Sequence, residues 1–295
     1  MKFWFNGEIF DTEDKVIAVD DRAFMLGDGL FETVLARDKV PLRLSAHLQR
    51  LRQGAELIDL KIGINNEELS SALSLVLDAN NLDEGVLRLT VSRGTCERGL
   101  LPLSQNAPCL AITVNPVPPY KGETNAIIST SFRRDELSTL SRCKTLSYLG
   151  NIVARQEAES YGANEALLLN TQKRLAEATI ANLFLVVGNR IFTPPVTDGA
   201  LPGIMRGEIL AKFGAEEKEL PVDILGQASE GFLTNCLGVR PLLKVDGQTI
   251  GNGRIGPITS HLRSILPGQL VLSHPQRTYG RGRTTQFAAL LTPNL

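Results

Sequence analysis

The chain is poor in aromatic side chains, in paired cysteines and in clustered histidines. Only 5% of its 295 residues are aromatic, so Leu, Val, Ile and Ala must supply most of the core. The four cysteines, Cys96, Cys109, Cys143 and Cys236, are widely spaced and form no CxxC pair. That pattern argues against a structural zinc site and against a disulfide framework. The three histidines (His47, His261, His274) form no HxxxH pair, and no metal is expected. No apolar run reaches the roughly 18–20 residues of a membrane-spanning helix. The opening MKFWFNGEIF lacks the sustained apolar stretch of a secretory leader, so a cytoplasmic protein is expected. A pI near 6.4 does not suggest a nucleic-acid partner.

The charge that is present is unevenly placed. Thirty-one basic and 32 acidic residues nearly cancel, yet no acidic residue follows Asp246 while Arg254, Arg263, Arg277, Arg281 and Arg283 remain. The length suffices for two modest domains with a sizeable core. Asn6-Gly7 between Phe3–Phe5 and Ile9-Phe10 predicts a hairpin, because this pair accepts the positive φ angles of a type I′ turn. Leu48, Leu51, Ala55, Leu57 and Leu60 predict an amphipathic helix with Ser45 as its N-cap. A second helix is expected from about Glu67 to Ala79, and VLRLTVSRG and CLAITVNP have the alternating character of strands. PVPPYKGE (116–123) stops regular structure. Residues 1–115 therefore read as a small N-terminal domain, 116–123 as a linker, 124–267 as a larger domain and 268–295 as a basic extension. Beyond the linker, strands are expected at about 125–130, 165–169, 180–187 and 190–193. Helices are expected at about Leu146–Tyr161, after Gly203 and around Ile258–Ile265. The fold class is α+β.

Three segments carry possible chemistry. SRGTCERG (92–99) places Arg93 and Arg98 on a glycine-containing loop, where guanidinium groups can fork a carboxylate or phosphate. Two solvated loop arginines satisfy the same pattern. PPVTDGALPGIMR (194–206) opens a helix at Gly203, whose free N–H groups suit an anion, as those of nearly every helix do. FLTNCLG (232–238) is a second anion cradle or simply a turn. No Ser-His-Asp order or carboxylate pair stands out.

Taken in order, eight segments form a more specific pattern: DDRAFMLGDGLFET (20–33), AHLQRL (46–51), VSRGTCERG (91–99), CKTLSYLGNIVARQEA (143–158), GANEALLLN (162–170), LAEATIANLF (175–184), TPPVTDGALPGIMR (193–206) and TNCLGVRPL (234–242). From about residue 3 to about residue 265 the chain resembles the fold type IV, or class IV, pyridoxal-phosphate (PLP) enzymes. That family holds branched-chain and D-amino-acid aminotransferases and 4-amino-4-deoxychorismate lyase. The resemblance implies a small α/β N-terminal domain, a larger β-barrel-like C-terminal domain with helices, PLP as cofactor, a small-molecule substrate and a homodimer. It makes Lys144 the catalytic lysine that also holds the cofactor covalently, and Glu177 the partner of the pyridine nitrogen. Arg50, Gly203, Ile204, Met205, Thr234 and Asn235 match the phosphate-binding positions, and Tyr148 approximates a tyrosine aimed at the cofactor's ring oxygen.

On the substrate side the resemblance assigns Phe31 and Arg98. D-Amino-acid aminotransferases trap a carboxylate with Arg-x-His after the SRG-type loop, but here position 100 is Leu. Branched-chain enzymes carry an FEG-R segment and a GTAAE-like strand, where this chain has Phe31-Glu32-Thr33 and Thr234-Asn235-Cys236. GDGLFET, SRG…RG, GIMR and the TN-containing strand look most like 4-amino-4-deoxychorismate lyase, although TNCLGVRPL is one residue short of the usual lyase segment. The expected activity is release of pyruvate and 4-aminobenzoate, a folate precursor. The alternative is amino-group transfer from branched-chain or D-amino acids to 2-oxoglutarate.

Overall fold

The computed structural model describes residues 1–97, 99–102, 107–119 and 122–266. Its first half is one six-stranded sheet carrying two long helices. The Asn6-Gly7 turn, with φ of 46° and 109°, joins β1 (Lys2–Phe5) to β2 (Glu8–Asp11) as expected. A short α1 (Arg22–Leu26) leads into β3 (Gly29–Arg37) and β4 (Val40–Pro41). Helices α2 (Leu44–Leu57) and α3 (Asn66–Ala79) precede β5 (Gly85–Ser92) and β6 (Cys109–Asn115). The strand order is β2-β1-β6-β5-β3-β4, antiparallel throughout.

Alternation decides which face is covered. Leu30, Val34 and Ala36 of β3 and Leu87, Leu89 and Val91 of β5 meet Leu48, Leu51, Leu69, Leu73 and Val76 of the helices in a dry core. The odd residues of β3 and the even residues of β5 face the other way. Ser45 does not cap α2: the chain turns from β4 directly into the helix through Arg43, whose left-handed φ of 55° makes it the N-cap. Helix α3 is closed by a reciprocal capping box between Asn65 and Glu68, whose bonds measure 2.9 and 2.8 Å.

The second half is a curled sheet. Its strands are β7 (Thr124–Arg134), β8 (Glu165–Asn170), β9 (Arg174–Ala178), β10 (Asn182–Val187), β11 (Arg190–Thr193), β12 (Glu216–Glu217), β13 (Leu220–Pro221), β14 (Glu230–Asn235), β15 (Gly238–Val245) and β16 (Gln248–Thr249). The order is β12-β11-β10-β14-β15-β7-β8-β9-β13, with β16 on β15. Helix α4 (Leu149–Ser160) lies on β7 and β8 through Ala154 and Ala158. Helices α5 (Ile204–Lys212) and α6 (Pro257–Ile265) cover Phe184 and Phe232, whose rings stack 4.9 Å apart. Strand β7 runs past the expected 125–130. Its register against β8 shifts between Ile128 and Arg133, where the Glu157 carboxylate of α4 accepts hydrogen bonds from Ser129, Thr130 and Ser131. Helix α1 and strands β3, β4, β9, β12, β13, β15 and β16 were not anticipated. The expected strand at 180–187 begins at Asn182, because Thr179–Ala181 form the turn between β9 and β10.

Among the described residues the two sheets share no strand, and several contacts join them. The segment bearing Lys144 runs along β3, where Phe31 N–H donates to the Lys144 carbonyl (2.9 Å) and Leu146 N–H to the Gly29 carbonyl (3.0 Å). Arg50 of α2 donates to the Pro202 carbonyl at 3.1 Å, and Arg43 pairs with Glu208 of α5. Gly29 is required by this stitching: a Cβ there would stand 2.3 Å from the Val91 carbonyl oxygen and 2.7 Å from Leu146 Cδ1. Gly29→Ala is expected to lower stability by about 1–3 kcal/mol. An unchanged urea-unfolding midpoint would contradict that close approach.

Candidate active site

A cavity of about 360 Å³ lies between the two sheets. Phe31 and Thr33 of β3 and Arg88 of β5 reach it from the face of the N-terminal sheet that the helices leave open. Lys144, Tyr148, Glu177, Gly203–Met205 and Thr234–Leu237 close it from the other side. The turn between β9 and β10 and the hairpin between β14 and β15 supply the wall, so these strand ends all converge on one space.

Glu32, on the opposite face of β3 from Phe31, is 1% exposed. Such a carboxylate requires partners, and α2 delivers two of them one turn apart. Arg50 donates to both Glu32 oxygens at 2.8 and 2.7 Å, and His47 Nδ1 lies 2.7 Å from Oε2. Burial works against the carboxylate's charge, but the His47 and Arg50 hydrogen bonds outweigh it and hold Glu32 below the ordinary range. Arg50 itself lines the cavity, so the cluster fixes a guanidinium at its edge.

Glu177 is held just as firmly. Its Oε1 lies 3.1 Å from Arg134 Nε, and its Oε2 accepts the Leu201 N–H at 3.0 Å. Arg134 is in turn fixed by the Gly199 and Ser141 carbonyls, each at 2.9 Å. Lys144 lines the same cavity. Its Nζ donates to the Tyr148 hydroxyl at 3.0 Å and sits 4.2 Å from the centroid of the Phe31 ring.

One end of the cavity is equipped for an anion. Helix α5 starts at Gly203 with no side-chain cap, leaving its first N–H groups open. A Cβ at Gly203 would stand 1.9 Å from Asn182 Oδ1, so a larger residue here would have to displace the Asn182 side chain. Thr234 Oγ1 is buried and has no hydrogen-bond partner among the described residues, an expensive state unless something accepts its proton. Asn235 is turned inward on itself, its Oδ1 accepting the Leu237 N–H at 2.9 Å. Burial pushes the neighbouring Cys236 thiol up to about 11, so it stays neutral.

The structure thus gathers Phe31, Arg50, Lys144, Tyr148, Glu177, Gly203, Ile204, Met205, Thr234 and Asn235 around one cavity. Arg98 lies outside the described residues. Arg93, the other loop arginine, is not available to a ligand: it donates to Asp28 (2.8 Å) and to the Asp59 and Ile58 carbonyls (both 2.7 Å). Sequence reasoning passed over Glu32, His47, Arg88, Arg134 and Asn182. Glu32 and His47 carried a signal, since both fall on the apolar faces of their elements.

The match to the amino-transferase class IV family model spans residues 29–245, and the chain belongs to that family. Members of the family depend on PLP, and this chain is a PLP-dependent enzyme of the fold type IV architecture. It is 33% identical over 272 residues to a Methanocaldococcus jannaschii protein provisionally named a branched-chain-amino-acid aminotransferase, covering 89% of this chain and 94% of the other. It is 31% identical to the D-alanine aminotransferase of Bacillus licheniformis, covering 94% and 100%. Among solved structures, the branched-chain aminotransferase of Escherichia coli superposes with a TM-score of 0.84 at 29% identity, covering 89% and 92%. A Legionella pneumophila protein provisionally named 4-amino-4-deoxychorismate lyase gives 0.79 at 30%, covering 85% and 94%.

The residues present fit that cofactor. An uncapped helix start and an orphaned hydroxyl suit a phosphate, a buried carboxylate suits a ring nitrogen, and the Lys144 amine lines the same cavity. Thr234→Val should leave the apo-protein at least as stable, because it removes an unpaired buried hydroxyl. The same change should weaken PLP binding about tenfold, read by titrating apo-protein with PLP; unchanged affinity would contradict the fit. Glu32→Gln gives a second test. A lowered native pKa contributes stability that is fully present above the unfolded carboxylate range, near 4.3, and is lost as pH falls through the native value. The destabilisation should therefore be greatest at neutral pH and shrink on acidification; a pH-independent difference in urea midpoint would contradict it.

Proposed function

We propose that this chain is a 4-amino-4-deoxychorismate lyase, releasing pyruvate and 4-aminobenzoate. The observation that carries this reading is the substrate side of the site. Position 100, where D-amino-acid enzymes of the family place a histidine, is an exposed Leu that contributes only its backbone carbonyl, accepting from Arg22 at 2.8 Å. Branched-chain motifs are likewise absent at Phe31-Glu32-Thr33 and Thr234-Asn235-Cys236. Identity does not separate the activities, since relatives bearing all three names lie between 29% and 33%.

Bound PLP supplies an electron sink for the carbon that bears the reacting amine. The chain's own residues do the rest. Arg50, Thr234, Asn235 and the N–H groups at Gly203–Met205 would hold the phosphate, and Glu177, fixed by Arg134, would partner the ring nitrogen. Lys144 would anchor the cofactor, and its free amine would take the proton from the carbon that bears the substrate's amine. Tyr148, within hydrogen-bond reach of Nζ, orients that amine. The ring C–O bond to the enolpyruvyl group then breaks, the released enolate takes up a proton to become pyruvate, and the ring is left aromatic. Phe31 and Arg98 belong to the substrate side.

A second reading, amino-group transfer from branched-chain or D-amino acids, is favoured by the names of the two curated relatives. The same proposal extends to organisation: a small domain over 1–115, a linker over 116–123, a cofactor-binding domain over 124–267 and an appended 268–295. Exposed Phe24, Met25, Leu100 and Leu101, brought together because Arg22 donates to the Gly99 and Leu100 carbonyls, suit a homodimer contact.

Purified protein loaded with PLP should be yellow and should release pyruvate from aminodeoxychorismate; Lys144→Ala should abolish both. Amino transfer to 2-oxoglutarate without pyruvate release would replace the lyase with the second reading. A colourless protein after PLP addition would contradict both.

A further inference from the structure

The C-terminal sheet buries a carboxylate that the chemistry above does not use. Glu165 of β8 is fully enclosed and does not line the cavity. Two arginines meet it from different elements: Arg155 of α4 stands 2.5 Å from Oε1 and Arg240 of β15 stands 2.7 Å from Oε2. Burial works against its charge, but Arg240 and Arg155 outweigh that and hold Glu165 below the ordinary carboxylate range. A buried ion triad gives the fold little that apolar residues of the same volume could not. Its further partner, however, borders the cavity. The Thr179 hydroxyl donates to Glu165 Oε1 and accepts from Arg155 Nη1 at 3.1 Å. The Thr179 N–H donates to the Ala166 carbonyl (3.1 Å), and the Thr179 carbonyl accepts from Asn151 Nδ2 (2.7 Å). Every polar atom of Thr179 is thus spent on holding the turn between β9 and β10. Each anchored element leads to a wall of the cavity. Thr179 follows Glu177 by two residues and precedes Asn182 by three, and the next carbonyl of the turn, at Ile180, accepts from Asn235 Nδ2 at 3.3 Å. Arg240 pairs with Leu233, the residue before Thr234, in the β14–β15 hairpin. Arg155 belongs to the helix that Tyr148 opens.

We propose that Glu165 is a positioning residue for the cofactor: acting through the Thr179 hydroxyl, it fixes the turn that carries Glu177 and so presets the cavity to receive PLP. Its own side chain never reaches the cavity, so its effect on a ligand passes through the turn. A wall held in place before binding costs less to order when the ligand arrives. The charge of Glu165 matters as well as its shape. Two guanidinium groups share this one carboxylate, and a neutral residue here would leave two like charges facing each other beneath the turn. The inference rests on the reading of the cavity as the PLP site with Glu177 as the ring-nitrogen partner, but not on which of the two reactions occurs there. Threonine suits the link because valine keeps its shape without the hydroxyl and serine keeps the hydroxyl without the methyl, so the two substitutions separate the hydrogen bond from packing.

The test is the affinity of the apo-protein for PLP, read by titration of the visible absorbance, alongside hydrogen exchange of the 177–182 segment and the urea midpoint. Thr179→Val should weaken PLP about tenfold, the worth of one charge-assisted hydrogen bond, and speed exchange in that segment. Thr179→Ser should keep most of the native affinity. Glu165→Gln should weaken PLP by as much or more. Because both residues act on one link, the double variant Glu165→Gln/Thr179→Val should bind PLP no worse than Glu165→Gln alone. A purely structural Glu165 predicts a lower urea midpoint with native PLP affinity, and that result in a folded Glu165→Gln variant would overturn the proposal. Losses that multiply in the double variant would overturn it too, since the two residues would then act separately. Should Glu165→Gln not fold, Thr179→Val decides alone, because it leaves both ion pairs in place. Native affinity in that variant, or an equal loss in Thr179→Ser, would contradict the role. A native chain that takes up no PLP would instead contradict the reading of the cavity, while the exchange rates of the apo-protein still report the link between Glu165 and the turn.

Discussion

Glu32 is the constraint on which the rest of the site depends. A carboxylate in the dry seam between β3 and α2 costs several kcal/mol unless hydrogen-bonding partners meet it, and His47 and the Arg50 guanidinium meet it from successive turns of α2. That requirement sets the rotation and height of α2 on the sheet. It also leaves one guanidinium nitrogen of Arg50 pointing across the cleft, where the Pro202 carbonyl accepts it at 3.1 Å. The residue that neutralises a buried charge in one half of the chain thus orients the helix start in the other. Removing Arg50 would leave the buried Glu32 without its guanidinium, a loss of about 3–5 kcal/mol.

Strand β3 turns that constraint into a site. Its period of two sends Glu32 to the helices and Phe31 and Thr33 to the cavity. Its backbone also accepts the Lys144 segment as a neighbour through Gly29 and Phe31. The lysine, its tyrosine partner and the aromatic ring beside them are therefore placed by main-chain pairing more than by loop conformation. Rigid placement suits the anchor and base that the proposed reaction asks of this lysine.

Much of this was legible in the chain, and the exceptions have physical reasons. Asn6-Gly7, the period of α2 and α3, and the alternation in VLRLTVS predict their elements because local chemistry and tertiary burial agree there. Ser45 failed as a cap because hairpin geometry placed the left-handed residue earlier, at Arg43. Strand β9 was missed because RLAEA pairs with β8 and buries a glutamate that reads locally as solvated. The order of the segments pointed to Lys144, Glu177 and Arg50, whereas spacing alone would have left all three as surface charges. Glu32 stood in register with the apolar residues of β3 but its partners on α2 were hidden, and Arg88 likewise gave no sign of its neighbours until the fold put them in place. Arg93 shows the converse, a plausible ligand arginine that the fold spends on Asp28 and two carbonyls.

The central claim is that one lysine, placed against β3, is the covalent anchor of the cofactor. Borohydride reduction of the PLP-loaded protein, followed by peptide mass mapping, tests it most directly. The account predicts a single pyridoxyl-labelled peptide with the modification on Lys144. A label on another lysine, or none after reduction, would contradict it.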